Sequence, residues 1–225
     1  MATFIIGGDT GNIGSILAKI FHEHGTPFVV GARDPSRAPG HYKSVAFNWN
    51  DPTTFENPFK ADPTVDRVYF TAPPAFKPLP IAKPFLDYAV SKGVKRFVFV
   101  GASSFKCDAN GPLTSPIWHY LANLGLGYVI LQPTWFTGGS RLSSVVGGQA
   151  DSYPPENFFT FHTHTIKNAG YFFSVKEDAR IPLVSVKDVA EVAADYLTKE
   201  ESLDGGLLIL GPELLTYDEV RRRSF

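Results

Sequence analysis

The sequence of 225 residues has little cysteine, little net charge and no long apolar run, and each shortage excludes a class of protein. Cys107 is its single cysteine, so no intrachain disulfide forms and nothing calls for an oxidising compartment. A formal net charge of −1 provides no basic field for gripping phosphate backbones, so we expect no nucleic-acid partner. The first apolar run stops at Gly7, and no later run has membrane-spanning length. These features predict a cytoplasmic protein without a membrane partner.

Short apolar runs alternate with helical periodicity along the chain. After the first run, Ile13, Leu17 and Phe21 share one face of a predicted helix. Strands are predicted at residues 2–6, 27–30, 45–48, 67–71, 96–100, 127–131 and 207–210, and further helices at 85–91 and 188–197. This alternation predicts an α/β protein, a Rossmann-type doubly wound and mostly parallel sheet that forms one domain over residues 1–225.

Two stretches break the alternation. Residues 72–84 are rich in proline, and residues 137–165 are rich in Gly, Ser, Phe and His without a clear period. Long irregular connections in a doubly wound sheet emerge at the carboxyl ends of the strands, where ligands bind. We therefore interpret both stretches as walls of a substrate pocket, with 137–165 as a substrate-side insertion.

A glycine-rich turn separates the first strand from the first helix. Gly8, Gly11 and Gly14 meet the needs of a dinucleotide site, namely a tight turn, close backbone approach to a pyrophosphate, and tight packing of helix on strand. The N–H groups that begin the helix then face the phosphates. The alternative is that these glycines only form a loop, and their position between a predicted strand and a predicted helix argues against it. The predicted cofactor-binding residues here are Gly8, Thr10, Gly11, Asn12, Ile13 and Gly14.

The end of the second predicted strand indicates which nicotinamide dinucleotide is bound. Arg33 stands where NAD-binding proteins place an acidic residue for the ribose diol. A guanidinium pairs bidentately with a 2′-phosphate, whereas a carboxylate repels it, so Arg33 favours NADP(H). The neighbouring Asp34 leaves NAD open, and Arg33 as a solvated surface charge is the alternative.

Small residues follow the fourth and fifth predicted strands. Thr71, Ala72 and Pro73 come after the fourth strand, and Ala102 and Ser103 after the fifth. We expect both segments to reach the cleft near the ribose and nicotinamide, because their size leaves room for the cofactor. A role in tight turns is an open alternative for Ala72.

Candidate catalytic residues are fewer. Short-chain dehydrogenases use a Tyr-x-x-x-Lys pair to donate a proton to a carbonyl oxygen, and Tyr120 occupies the matching region without the lysine. Its neighbour His119 is the second candidate proton donor, although a lone histidine is commonly structural. His162 and His164 alternate as strand neighbours do, but no third ligand stands at a suitable spacing, so we expect no metal.

Several segments together resemble a known family. They are GGDTGNIG, VVGARDPSR, GVKRFVFVGASS, LQPTWF, IPLVSVKDVA and LGPELLTYDEV. In these segments the chain resembles the NmrA-like, atypical short-chain dehydrogenase/reductases. Within that group it is similar to the fungal festuclavine/agroclavine dehydrogenases of ergot alkaloid biosynthesis.

The resemblance implies NADPH-dependent reduction of an iminium ion. An iminium carbon is already cationic and accepts hydride without a protonated oxygen, which agrees with the missing lysine. By resemblance Trp135 and Phe136 line the substrate side, where aromatic faces suit an indole and a cation, and Phe76 is counted with them. The implied partner is a small-molecule substrate, an indole or other alkaloid. Ordinary core packing is the alternative for these rings.

The chain also departs from the family. Family members have a compact connection after the LQPTWF-like segment, and they continue past the LLTYDEV segment with a region that encloses the substrate, so we expect a rebuilt and shortened substrate region here. The leading hypothesis is a reductase of secondary metabolism. A non-redox cyclase or pericyclase on the same scaffold is the first alternative, and an NADP-binding redox sensor without catalysis is the second.

Overall fold

The structure is a computed structural model that describes residues 1–9, 11–137, 179–216 and 218–219. Its strands are β1 (Ala2–Ile6), β2 (Phe28–Ala32), β3 (Ser44–Ala46), β4 (Val65–Thr71), β5 (Arg96–Val100), β6 (Gly127–Pro133), β7 (Phe136–Thr137), β8 (Arg180–Pro182), β9 (Val184–Ser185), β10 (Gly205–Ile209) and β11 (Leu214–Thr216). Its helices are α1 (Asn12–Glu23), α2 (Asn57–Ala61), α3 (Leu79–Ser91), α4 (Ser115–Ala122) and α5 (Val186–Thr198). Short 3₁₀ helices span Pro35–Arg37 and Pro52–Thr54.

Seven strands form one parallel sheet in the order β10-β6-β5-β4-β1-β2-β3. Each adjacent pair is parallel; Phe4 lies opposite Val29 in β2 and Val68 in β4. The chain therefore winds outward from β1 in both directions, which confirms the predicted Rossmann-type fold. The crevice between β1 and β4, where the winding reverses, is the place at which such sheets bind ligands.

Helices cover both faces of the sheet. On one face α1 and α5 bury Leu17 and Val189 against Ile5 and Val98. On the other face α3 and α4 pack on a core rich in phenylalanine, in which the Phe85 ring lies 5.8 Å from Phe4 edge-on. Such edge-to-face aromatic pairs add stability beyond the apolar area that they bury. Most of the aromatic residues that the structure describes belong to this second core.

The element boundaries confirm some predictions and correct others. β1 and β5 have the predicted bounds. The third strand is shorter than predicted, because the chain turns at Asn48, whose N–H donates to the Thr54 hydroxyl at 3.1 Å. The helix predicted at 85–91 begins earlier, at Leu79, within the stretch 72–84 that was predicted to be irregular. Pro80 sits in the first turn of α3, where proline has no hydrogen bond to lose, and Pro84 lies inside the helix.

Two buried arginines join the sheet to the last described helix. Arg96 donates to the carbonyls of Tyr196 at 2.9 Å, Lys199 at 2.5 Å and Glu200 at 2.5 Å, and Arg67 donates to Lys199 at 2.9 Å. Positive charge at the carboxyl end of a helix offsets the helix dipole and satisfies its last carbonyls. This contact fixes α5 at the edge of the sheet opposite the crevice.

Candidate cofactor site

The turn between β1 and α1 can be built only from glycines at two points. A Cβ on Gly11 would lie 2.5 Å from the carbonyl oxygen of Gly7, and one on Gly14 would lie 2.6 Å from the same atom. Gly7 itself has a φ of +77°, and its carbonyl accepts a hydrogen bond from the Gly11 N–H at 2.9 Å. The predicted tight turn is therefore present, and Gly7 is a member that the sequence reasoning missed.

The turn places the first residues of α1 at the crevice. The first intrahelical hydrogen bond runs from Ser15 to Gly11, so the N–H groups of Asn12, Ile13 and Gly14 have no partner within the helix. No acidic side chain lies in this first turn. Unpaired N–H groups and the helix dipole together form a site for an anion such as a pyrophosphate. Thr10, also predicted to bind cofactor, lies outside the described residues.

A cleft of about 660 Å³ opens beside this turn at the carboxyl edge of the sheet. It brings together five predicted residues, Gly11, Arg33, Thr71, Ala72 and Pro73. Its other lining residues are Ile6, Gly7, Asp9, Gly31, Ala32, Asp34, Arg37, Phe47, Asn48, Trp49, Asn50, Pro74 and Ile81. The cleft thus lies at the crevice between β1 and β4, where Rossmann-type sheets bind dinucleotides.

One end of the cleft is lined by two arginines and a carboxylate. Arg33 and Arg37 are exposed and line it, on either side of Asp34. The Asp34 carboxylate accepts hydrogen bonds from the Ser36 N–H at 3.1 Å and the Ser36 hydroxyl at 2.6 Å. These bonds hold the pKa of Asp34 below its ordinary value. Asp34 therefore stays ionised, with its Oδ1 bonded to its own turn, and both neighbouring arginines are exposed.

Other predicted cofactor residues support the cleft without lining it. Gly8 packs between side chains of β1 and β2, since a Cβ there would lie 3.1 Å from methyl groups of Ile5 and Val30. Ala102 and Ser103 follow β5 at the same edge of the sheet, and the Ser103 N–H donates to the Pro133 carbonyl at 3.0 Å. Their contact with a cofactor stays a prediction.

The segment after β3 contributes lining residues that sequence reasoning missed. Asn48, Trp49 and Asn50 line the cleft, and the Trp49 ring packs edge-on against Phe85 at 5.6 Å. Their signal was the same rule that identified Thr71: they follow a strand of a parallel sheet. The predicted third strand runs through Asn48, whereas β3 ends at Ala46, so the residues that follow the strand lie earlier than the sequence indicates.

The candidate proton donors Tyr120 and His119 lie on α4 and are absent from the described lining of the cleft. The Tyr120 hydroxyl donates to the Asp87 carboxylate, and the Lys83 ammonium lies 4.9 Å from the Tyr120 ring centre. Burial, and then the neighbouring Asp87, raise the pKa of Tyr120. The structure does not bring Tyr120 to the cleft through the described residues, and its catalytic role stays a prediction.

The candidate substrate-side aromatic residues Trp135, Phe136 and Phe76 are not part of the described lining of the cleft. Phe136 is half-buried in β7 and packs against the core under α1 and α5. Trp135 precedes it and accepts a hydrogen bond from Val184 through its carbonyl at 2.9 Å. Phe76 is 80% exposed in the connection before α3. Their substrate contacts stay predictions, and residues 138–165 of the proposed insertion, with His162 and His164, lie outside the described residues.

The described ranges contain neither a metal cluster nor a membrane-spanning helix. No group of three or more His, Cys, Asp and Glu residues there is arranged to hold a metal ion. Within the same ranges, no helix is both long enough and apolar enough to cross a membrane.

Comparison with known proteins agrees with this geometry. Residues 8–157 match the NAD(P)H-binding family model. The chain is 33% identical to agroclavine dehydrogenase of Claviceps fusiformis over 97% of its own length and 71% of that protein. It is 34% identical to festuclavine synthase I of Penicillium roqueforti, again over 97% of this chain and 71% of the relative. The chain belongs to the agroclavine and festuclavine dehydrogenase family. It is an NAD(P)H-binding member of this oxidoreductase family.

Solved structures confirm the fold of this family member. Triphenylmethane reductase of Citrobacter sp., solved with NADP(H), superposes with a TM-score of 0.68 at 14% identity, over 99% of this chain and 74% of that one. UDP-glucose 4-epimerase of Thermus thermophilus, solved with NAD, gives a TM-score of 0.66 at 19% identity, over 98% of this chain and 81% of that one. At these identities the likeness shows the Rossmann-type fold alone.

Proposed function

We propose that the protein is an NADPH-dependent reductase of an iminium or related alkaloid intermediate in fungal secondary metabolism. The observation that carries the cofactor preference is the charged end of the cleft. There Arg33 and Arg37 are exposed while Ser36 holds the Asp34 carboxylate. The names of the relatives, agroclavine dehydrogenase and festuclavine synthase, support the alkaloid substrate class.

The residues present fit a nicotinamide dinucleotide. The glycine turn leaves no room for a Cβ at Gly11 or Gly14, and the first turn of α1 offers its N–H groups to a pyrophosphate. Arg33 and Arg37 would hold a 2′-phosphate, because a guanidinium forms paired, charge-assisted hydrogen bonds with phosphate oxygens. Thr71, Ala72 and Pro73 leave room beside the ribose. The reduced nicotinamide, when bound, supplies a hydride.

An iminium substrate matches the absence of the candidate donors Tyr120 and His119 from the described lining. The carbon that accepts hydride is already cationic, so the protein's task is to position the substrate and exclude water rather than to protonate an oxygen. Tyr120, bonded to Asp87 and with a raised pKa, takes no part in this scheme. We propose that Trp135, Phe136 and Phe76 present aromatic faces to the indole and to the iminium cation of the substrate.

We further propose that the protein acts in the cytoplasm on a small molecule. The exposed Cys107 is the only cysteine of the sequence, as expected for a reducing compartment.

The experiment is a titration of purified protein with NADPH and with NADH, followed by addition of cyclic iminium substrates while the nicotinamide absorbance is recorded. Tighter binding of NADPH, followed by substrate-dependent oxidation, supports the proposal. NADPH binding without oxidation, but with cyclised product, favours the cyclase alternative. NADPH binding without any product, but with cofactor-dependent capture of a protein partner, favours the redox sensor.

A further inference from the structure

Two of the described residues other than glycine have a positive φ, and only one of them has a local reason for it. Leu113 and Asp204 both have a φ of +50°. Asp204 stands in the turn before β10, and its carboxylate accepts a hydrogen bond from the Tyr128 N–H at 3.1 Å. Aspartate tolerates this conformation because its short side chain bonds to nearby backbone. Leucine has no such group, so the backbone at Leu113 is strained.

Leu113 lies in a tight turn that a glycine would form more easily. The Ser115 N–H donates to the Pro112 carbonyl at 3.1 Å, and Thr114 has a φ of −93° and a ψ of −8°. Turns with a positive φ at the second residue and such angles at the third favour glycine at the second position, which is Leu113 here. Leu113 belongs to neither described core of the sheet, and it is 40% exposed. Neither the turn nor the core therefore accounts for a leucine.

This turn lies at the carboxyl edge of the sheet, the edge of the candidate cofactor site. The chain reaches this edge at Val100, and α4 returns it to the opposite edge, because β5 and β6 are parallel. Leu113, two residues before α4, is therefore at the edge where Thr71 lines the cleft. The connection is fixed to β6, since the Gln132 side chain donates to the Phe105 carbonyl at 2.8 Å.

A dinucleotide in the cleft leaves this part of the edge to the substrate. Its 2′-phosphate end is proposed at Arg33 after β2, and its pyrophosphate at the start of α1 after β1. The nicotinamide then points toward β4 and β5, because the strand order is β2-β1-β4-β5 read from the other edge. A substrate that receives hydride lies beyond the nicotinamide, next to the connection after β5. An exposed leucine there offers an apolar surface to a flat indole ring.

We propose that Leu113 is a substrate-contact residue, and that its strained backbone is the cost of presenting an apolar side chain to the indole ring. This inference rests on the proposed function, which supplies the substrate class. Strained residues of this kind cluster at ligand-binding sites. Leu113→Gly relieves the strain and removes the contact, so it stabilises the free protein and weakens substrate binding. A leucine with a purely structural role does not give that combination.

The test uses a dihydro-β-carbolinium salt, which is an indole with a cyclic iminium, as the probe. Calorimetry measures its binding to the protein loaded with NADP⁺, so that no turnover occurs. We expect Leu113→Gly to raise the dissociation constant of the probe about fivefold, for the loss of a leucine contact. The same variant should raise the melting temperature by about 2–4 °C, because glycine adopts a positive φ without strain. Leu113→Met keeps an apolar side chain and should bind the probe within about twofold of wild type.

Leu203→Gly is the matched control. Leu203 is 42% exposed, close to the value for Leu113, but its φ is not positive and it precedes β10 at the opposite edge of the sheet. Glycine there should lower the melting temperature and leave the dissociation constant of the probe unchanged. The dissociation constant of NADP⁺ should be the same in all four proteins.

The outcomes separate this inference from the proposed function. Wild-type affinity for the probe in Leu113→Gly overturns the substrate contact, as does an equal loss in Leu203→Gly. A Leu113→Gly protein that melts below the wild type shows that the turn is not strained, and it overturns the inference as well. A wild type that does not bind the probe overturns both the contact and the proposed substrate class. The expected pattern in a protein that binds the probe but does not reduce it with NADPH upholds the contact and overturns only the proposed reaction.

Discussion

A Cβ on Gly14 would lie 2.6 Å from the carbonyl oxygen of Gly7 and 2.9 Å from its carbonyl carbon. The first helix therefore packs so closely on the turn before it that backbone atoms occupy the place of a side chain. This contact aims the N–H groups at the start of the helix toward the cleft, and it links the spacing of the glycines directly to cofactor binding.

We expect Gly14→Ala to weaken cofactor binding and to destabilise the protein. In an unobstructed helix the change from glycine to alanine gains about 1 kcal/mol. Here the clash is with backbone that cannot rotate away, and such overpacking costs about 1–3 kcal/mol. The free energy of unfolding and the dissociation constant for NADPH measure the two effects.

Gly40→Ala is the control for this change. A Cβ on Gly40 would have no other atom within 4 Å, and the φ of Gly40 is not positive, so alanine there leaves both quantities near wild type. If Gly14→Ala bound NADPH as well as Gly40→Ala does, the close contact would not matter for the cofactor.

Arg33→Ala should weaken NADPH binding far more than NADH binding. Two exposed arginines line the charged end of the cleft, and loss of one phosphate contact costs about 1.5–3 kcal/mol, or about ten- to a hundredfold in affinity. Arg33→Lys keeps the charge but loses the forked geometry of the guanidinium. Its affinity for NADPH should lie between those of the wild type and Arg33→Ala. Equal losses for NADPH and NADH in Arg33→Ala would contradict contact between Arg33 and the 2′-phosphate.

The sequence predicted the fold and most of the cofactor turn, because both depend on local patterns. Apolar runs bounded by glycine marked β1 and β5, and the glycine spacing marked the turn. The lining residue Trp49 was missed because its position depends on where β3 ends, and a hydrogen bond from the Asn48 N–H to the Thr54 side chain decides that. Strand ends of this kind are set by contacts that apolar periodicity does not reveal.

Long-range contacts could not be predicted from the sequence for the same reason. Nothing in the pattern around Tyr120 indicates that its hydroxyl binds Asp87 of another helix. Likewise, Arg67 and Arg96 belong to apolar strands, yet they bind carbonyls at the end of a helix 100 or more residues later. A side chain that pairs across the fold is found only once the fold places both partners together.

Tyr120→Phe should leave the turnover number within about twofold of wild type, since the hydroxyl is bonded to Asp87 and the iminium carbon needs no proton. Thermal unfolding should show a loss of about 1 kcal/mol for the missing hydrogen bond. Steady-state rates across the neutral and alkaline range check the first point. A fall in turnover of about a hundredfold with unchanged binding would restore Tyr120 as the proton donor.

Arg96→Met should destabilise the protein strongly without affecting the cofactor. Arg96 is 6% exposed, and its guanidinium donates to three carbonyls near the end of α5. Losing the three hydrogen bonds from this charged donor to partly buried carbonyls costs about 3 kcal/mol. For a chain of this length, that loss lowers the melting temperature by about 6–12 °C.

Lys19→Met is the matched control, because it removes one positive charge from an exposed surface pair with Glu23. Such pairs contribute about 0–1 kcal/mol, so the melting temperature should change little. Both variants should bind NADPH as the wild type does. A melting temperature of Arg96→Met equal to that of Lys19→Met would show that the arginine does not anchor α5.

The charged cleft, in the function proposed here, selects NADPH for hydride delivery to a cationic carbon. The measurement that tests this most directly follows nicotinamide absorbance as a cyclic iminium substrate is added to the protein with NADPH or with NADH at matched concentrations. We expect substrate-dependent oxidation that is faster with NADPH, and loss of that difference in Arg33→Ala. Tight binding of NADPH with no oxidation in the presence of any iminium substrate would contradict it.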